Sequence, residues 1–397
     1  MQRIGIYGGT FNPVHIGHIR AAKYAIEALK LDKLLLIPNR TTPCKQQTAD
    51  MIGPRHRLAM LRMAVSGCEK MEVSDLELTR EGISYTYQTL GQLRCKYPDA
   101  QFVLLVGSDM FQSIHNWKNA DEILRNAQLG VFCRGGRKET AALQEQKERL
   151  EAMGAAVRIL QNPVTDISST QLRRLLVFRC ATPFLPEGVE EYIREQGLYG
   201  VNDDYRNLPM EQLEKTVVGL LNPNRVAHVL GCRDTAAELA RRWGADETDA
   251  ARAGLLHDIT KAIDGPLQLT LCQAYGTILS DFGYKYPKTL HALTGSLVAD
   301  RIFGENEAVV SAICSHTTGK ADMNLLEKII YVADYMEPNR DFPGVDKLRE
   351  LAFTDMDAAL RLGLEMTLEH LKRQGSEVSP ESREALAWLN GRLAAVE

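Results

Sequence analysis

Residues 5–18 read Gly-Ile-Tyr-Gly-Gly-Thr-Phe-Asn-Pro-Val-His-Ile-Gly-His, and few folds accommodate that order. Arg3–Tyr7 is a short apolar run with strand character, and Gly8-Gly9 follows at once. Paired glycines let the backbone turn tightly and pass close to a ligand. Asn12-Pro13 marks a turn. From Gly17 to Leu31 the residues Ile19, Ala22, Ile26 and Leu29 recur at helical spacing. A strand, a glycine turn and a helix therefore succeed one another, with His15 and His18 on one face at the helix mouth. The free N–H groups and positive dipole end of a helix favour an anion, and two imidazoles add donors there. The order predicts a nucleotide phosphate at Gly8, Gly9, Thr10 and Phe11.

The chain has 397 residues, enough for two or three domains. Its net charge of −4 supplies no basic field for nucleic acid or an anionic membrane surface. Eight cysteines, none in a CxxC pair, read as reduced thiols of a cytoplasmic protein. The sequence opens without a signal-peptide pattern, and its longest apolar runs are too short for a bilayer.

Residues 1–198 alternate apolar strands with amphipathic helices. Strands are expected at Arg3–Tyr7, Lys33–Ile37, Met71–Ser74, Phe102–Val106, Leu129–Cys133 and Val157–Leu160. That alternation predicts an α/β doubly wound parallel sheet of Rossmann type, whose ligands bind beyond the carboxyl ends of the strands. Residues 199–209, rich in Asn, Asp, Gly and Pro, read as a linker. Residues 210–397 read as helix after helix, an all-α domain, with one helix expected over Ala250–Lys261.

Several further stretches of the first half bear on a phosphate site. Lys45 lies on a loop after the second strand, where it meets either triphosphate or solvent. Gly107 and Asp109 end the fourth strand, with Trp117 behind them as a core residue or a stacking platform. Arg134 ends the fifth strand. Ile167-Ser168-Ser169-Thr170 precedes a helix containing Arg173, as an N-cap or a phosphate cradle.

Together with Pro38-Asn39, Pro43 and the block Glu77-Leu-Thr-Arg80-Glu-Gly-Ile-Ser84-Tyr85-Thr86, these motifs resemble the nicotinate-mononucleotide adenylyltransferase family. The resemblance covers roughly residues 1–197. It implies adenylyl transfer from ATP, with Mg²⁺, to nicotinate mononucleotide. It also implies that His15, His18, Lys45, Ser169, Thr170 and Arg173 hold the triphosphate. Ser84, Tyr85, Thr86 and Trp117 would line the nicotinate side. Two residues depart from the pattern: Asn12 replaces the commoner aspartate, and Cys44 a common histidine.

In the second half, His228, His257, Asp258, His291, His316 and Asp334 lie in or beside apolar helices. One histidine on such a helix is ordinarily core, whereas four with two aspartates match the ligands of a divalent metal. The order resembles the HD superfamily of metal-dependent phosphohydrolases, and within it symmetrical diadenosine tetraphosphate hydrolases. That resemblance implies two divalent metals, iron first and manganese, cobalt or zinc next. His228, His257, Asp258 and Asp334 would bind one, and Asp258 would bridge to a second held by His291 and His316. Lys261, Thr317 and Arg340 are phosphate contacts by the same resemblance, or surface polar residues. The chain thus reads as a bifunctional enzyme acting on small nucleotides, with a homo-oligomer left open. For the second half, a nucleotide phosphatase, a cyclic-dinucleotide phosphodiesterase and a nucleotide-sensing module are the alternatives.

Overall fold

The computed structural model describes residues 1–41, 51–133 and 137–394. Chain contacts divide it into two compact units, 1–202 and 203–397.

The first unit is a doubly wound α/β fold. Its strands are β1 (Arg3–Gly9), β2 (Lys33–Pro38), β3 (Met71–Val73), β4 (Gln101–Gly107), β5 (Ala127–Phe132) and β6 (Val157–Leu160). All pairings are parallel, in the order β3-β2-β1-β4-β5-β6. Parallel strands need crossover connections, and a sheet covered on both faces is apolar throughout. Hence Leu34, Leu35, Leu36 and Ile37 are all buried, as are Val103, Leu104 and Leu105. Chain order reverses between β1 and β4, which pair from Arg3↔Gln101 to Tyr7↔Leu105. Their carboxyl ends, Gly8-Gly9 and Gly107, therefore border the switch-point crevice where such folds bind ligands. β1 runs two residues further than its apolar run suggests, because Gly8 and Gly9 continue the ladder opposite Ile37 and Pro38.

Helices among the described residues of the second unit include Val226–Trp243, Glu247–Leu256, Gly265–Ala274, His291–Val298, Glu307–Ser315 and Leu325–Met336. The first two pack closely at Gly254, where a Cβ would lie 2.9 Å from Cys232 O and from Arg233 Cα. Val229, Leu239, Leu255, Leu256, Ile313, Ile329 and Ile330 fill the interior. The helix expected over Ala250–Lys261 ends at Leu256 instead. Turn bonds follow, Ile259 N–H to Leu256 O at 3.0 Å and Lys261 N–H to Asp258 O at 2.9 Å. His257 and Asp258, on this turn, are both buried. No helix among the described residues is long and apolar enough to cross a membrane.

The stretch 199–209 is better anchored than its polar composition suggests. Tyr199 OH donates to Asn12 Oδ1 at 2.8 Å, within the first unit. Within the second, Asn207 N–H reaches Phe303 O at 3.1 Å and Leu208 O accepts from Arg252 Nη1 at 2.8 Å. These anchors favour a cut between Asn202 and Asp203. Fragments 1–202 and 203–397, made separately, are each expected to melt cooperatively by circular dichroism. A fragment without a transition, from a chain that melts cooperatively when whole, would overturn this partition.

Candidate functional site

In the first unit the site is built on the end of β1. The helix Ile16–Ala28 has His15 as its N-cap. His15 N–H donates to His18 Nδ1 at 3.2 Å. With Nδ1 accepting, a neutral His18 carries its proton on Nε2 and presents it as a donor. The two rings lie 3.6 Å apart, centroid to centroid. Gly17 is required between them, since a Cβ there would come within 2.9 Å of His15 Nδ1.

The turn is tied to distant chain. Arg173 Nη1 donates to Asn12 O at 2.8 Å, Ser169 Oγ to Pro13 O at 2.9 Å, and Arg57 Nη1 to Thr10 O at 2.8 Å. Asn12 Oδ1 also faces Ile52 N–H at 3.4 Å. Phe11 is buried, its ring 5.0 Å from that of His18. Ser168 caps the helix Ser169–Val177 in a reciprocal box with Gln171, an interaction worth about 1 kcal/mol. Ile167 is buried just before it, and Thr170 Oγ1 lies 3.4 Å from Arg173 Nη2. The capping reading of this stretch holds for Ser168. Ser169 and Arg173 bond the turn itself, and Thr170 accepts from Arg173.

A second cluster faces the loop after β2. Ser84 N–H donates to Thr41 O at 2.9 Å, and Ser84 Oγ accepts from Arg40 N–H at 3.2 Å. Beneath it Glu77 is buried and accepts from Thr89 Oγ1 at 2.7 Å. Burial pushes the Glu77 carboxyl up from its ordinary value, against the opposing pull of Thr89 and Arg80. Tyr85 caps the helix Thr86–Lys96, and its ring sits 4.5 Å from Lys118 Nζ, beside Trp117 in sequence. Trp117 packs on the core, yet its buried indole N–H has no acceptor among the described residues. Gly107 ends β4, and Asp109 lies in the first turn of Ser108–Ser113. Lys45, Cys44, Pro43 and Arg134 lie outside the described residues.

The second unit brings all six expected metal ligands together. Asp258 is 1% exposed. Its Oδ2 lies 3.6 Å from His257 Nε2 and 3.8 Å from His228 Nε2. Its Oδ1 lies 3.5 Å from His291 Nε2 and 3.7 Å from His316 Nε2. Asp334 Oδ1 adds to the first set, 3.2 Å from His228 Nε2 and 4.0 Å from His257 Nε2.

Every imidazole turns Nε2 inward because Nδ1 is taken. His257 donates to Gly254 O at 2.7 Å, His291 to Lys288 O at 2.9 Å and His316 to Ile313 O at 2.7 Å. Each of these carbonyls stands three residues earlier in the chain. His228 instead meets the buried Glu337 carboxylate at 3.0 Å. Such outer partners fix the tautomer and aim of metal-binding histidines. Burial holds His257 and His291 well below the usual histidine range, and His316 down to about 4. They are neutral at physiological pH, with lone pairs directed into the cluster. Asp334 is held low, its burial outweighed by His228, His257 and Arg340.

Donors surround this centre. Arg225 pairs with Asp258, and Arg340 Nη2 with Asp334 Oδ1 at 2.5 Å. Lys261 Nζ and Thr317 Oγ1 approach His291 Nε2 at 2.8 and 3.0 Å. Burial lowers the Lys261 ammonium to about 8. The donor set of neutral imidazoles and carboxylates suits divalent transition metals, and two groups qualify by proximity, His228–Cys232–His257–Asp334 and His257–Asp258–His316. Sequence reasoning gave no role to Arg57, Tyr199, Arg225, Cys232 or Glu337. Arg225, three residues before His228, and Glu337, three after Asp334, stand in stretches that carry the HD resemblance, and those neighbours are the signal that could have found them.

A cytidylyltransferase-like family model matches residues 6–175, and an HD domain model matches residues 225–339. A protein of Desulfatibacillum aliphaticivorans, named a probable nicotinate-nucleotide adenylyltransferase, is 40% identical over 218 residues. That match takes in 50% of this chain and 100% of the relative. A protein of the same name from Clostridium tetani is 34% identical over 200 residues, covering 50% of this chain and all of its own. A crystal structure from Clostridium acetobutylicum, described as a predicted HD superfamily hydrolase involved in NAD metabolism, is 36% identical with a TM-score of 0.46. It covers 47% of this chain and 98% of its own. Through its first unit the chain therefore belongs to the nicotinate-nucleotide adenylyltransferase family, and its second unit carries an HD domain.

Proposed function

We propose that the chain is bifunctional. Its first unit transfers the adenylyl group of ATP to nicotinate mononucleotide, giving deamido-NAD and pyrophosphate. A phosphate oxygen of the mononucleotide attacks the α-phosphorus in line. The bond to the bridging oxygen breaks, and pyrophosphate leaves with the electron pair. No covalent residue is needed, and the protein supplies position and positive charge as charge grows on the leaving group. The observation that carries this reading is the His15–His18 arrangement, in which a backbone N–H fixes the His18 tautomer and leaves Nε2–H to donate. Ser169, Thr170 and Arg173 hold the same turn and the same triphosphate. Mg²⁺ would be held largely by substrate oxygens and water. The N-terminus of the helix Thr86–Lys96 favours the carboxylate that distinguishes nicotinate from its amide, and Trp117 offers a flat ring and an N–H.

The second unit hydrolyses diadenosine tetraphosphate to two ADP. His228, His257, Asp258 and Asp334 would hold one divalent metal, and Asp258, His291 and His316 a second. Iron is the leading candidate for both. When bound, the metals supply a water acidic enough to attack phosphorus at neutral pH. The outer carbonyls and Glu337 aim the imidazoles, while Lys261, Thr317, Arg225 and Arg340 offer cationic and hydroxyl donors to the phosphates. The supporting observation is the sharing of Asp258, one oxygen toward each histidine pair.

His18→Ala is expected to lower deamido-NAD formation by about 100- to 1,000-fold, the usual effect of losing a transition-state donor. Hydrolysis by the second unit should be unchanged in the same preparation. Near-normal adenylyl transfer in that variant would sink the role given to the turn.

Elemental analysis of the wild-type protein, purified under reducing conditions, is expected to find two transition metals per chain. Diadenosine tetraphosphate should yield ADP alone, and Asp258→Ala should abolish both metal content and hydrolysis. ATP with AMP as products would point to asymmetric cleavage. Binding without turnover would make the second unit a sensor.

A further inference from the structure

Three buried polar side chains of the second unit take no part in the scheme above. Thr260 and Thr294 are fully buried, and Gln268 is 1% exposed. They stand on separate segments. Thr260 lies in the turn after His257-Asp258, Gln268 in the helix Gly265–Ala274, and Thr294 one turn into the helix His291–Val298.

The Gln268 carboxamide sets the direction of the hydrogen bonds among them. Its Nε2 donates to Thr260 O at 2.8 Å and to Ile263 O at 3.2 Å. Both amide protons are then used, so Oε1 is the atom that faces Thr294 Oγ1, and the hydroxyl must be the donor. The same hydroxyl lies 3.0 Å from Leu290 O, but among these groups it alone supplies a proton to Gln268 Oε1. Thr294 Oγ1 also lies 2.8 Å from Thr260 Oγ1. Thr260 Oγ1 donates its single proton to His291 O at 2.9 Å. The relay runs from Thr294 to Gln268 and from Gln268 to the Thr260 carbonyl, and the Thr260 hydroxyl carries it on to the His291 carbonyl.

This ring joins the segment that carries Asp258 to the helix that carries His291. Packing alone does not call for it, since apolar side chains of the same size would fill the space with no hydrogen bonds to satisfy. Neither Thr294 nor Gln268 is among the groups that face the ligand atoms. The His291 ring takes its rotation from Lys288 O, and its own carbonyl accepts from Thr260, two residues past Asp258.

We propose that Thr294 and Gln268 are positioning residues for one half of the metal centre. They set the spacing of His291 from Asp258, and thereby the affinity of the His291–His316 side for its cation, while the His228 side stands independent of them. The proposal rests on the two-metal reading above.

The test uses the full-length protein stripped of metal and titrated with Mn²⁺ by calorimetry, with bound manganese counted after gel filtration. Thr294→Val keeps the shape of the side chain and removes the hydroxyl. It should bind its first Mn²⁺ as wild type does and its second about 10- to 100-fold more weakly, the usual cost of losing an outer-sphere partner. Thr294→Ser restores the hydroxyl and should restore the second affinity, which a volume effect would not do. If Thr294→Val fails to fold, Gln268→Met breaks the relay at its other end and is read in the same titration. Two Mn²⁺ bound at wild-type affinity by the variant, or equal weakening of both, would overturn the proposal. A wild-type chain that takes up only one Mn²⁺ overturns the two-metal reading, and this inference with it, before any variant is made.

Discussion

Asp258 is the group on which the second unit turns. A carboxylate this deeply buried carries a desolvation penalty of several kcal/mol unless opposite charge or donors surround it. Four imidazoles converge on it with Nε2 lone pairs inward, an arrangement that a cation bound among them would complete. His257 adjoins it in the chain, His228 approaches from the helix Val226–Trp243, and His291 and His316 come from two further helices. Arg225 adds a guanidinium at the rim. Helix packing elsewhere in the unit serves this convergence. Gly254 allows the helices that lead to His228 and His257 to touch, and His257 and Asp258 are both buried on the turn after Leu256.

The first unit solves a different problem, the holding of a mobile polyanion. Its sheet is buried on both faces, so polar chemistry is confined to the strand ends and the turns beyond them. There the backbone carbonyls of Thr10, Asn12 and Pro13 are taken by Arg57, Arg173 and Ser169. The carbonyls of the turn are thus held from behind, with cationic and hydroxyl groups gathered at the helix mouth. Asn12 fits this scheme better than its departure from the family pattern suggests. It receives a hydroxyl from Tyr199 and faces the Ile52 amide, a task its neutral amide oxygen performs.

The strands were legible in the sequence because buried parallel strands leave continuous apolar runs, and all six begin and end within two residues of those runs. The histidines and aspartates of the second centre were legible from residue type and order. What could not be read was whatever depends on contact across the chain. Tyr199 behind Asn12 and the Thr260–Thr294–Gln268 ring have no periodicity and no local motif. The helix over Ala250–Lys261 was overextended for a related reason. Its apolar spacing continues past Leu256, and the turn there is held by Gly254 O and by His291 O from another segment.

The way the four imidazoles are aimed differs in a manner that bears on how the centre tolerates sequence drift. Three are oriented by main-chain carbonyls, at Gly254, Lys288 and Ile313. A carbonyl survives any substitution, so no replacement at position 288 or 313 removes the acceptor itself. His228 has no such insurance. Its acceptor is a side chain more than a hundred positions away, and that side chain is itself held by the Asn339 amide groups. Random variation should therefore erode the His228 corner through Glu337 and Asn339, while the other three corners are worn down only by loss of the histidines or of the helices beneath them.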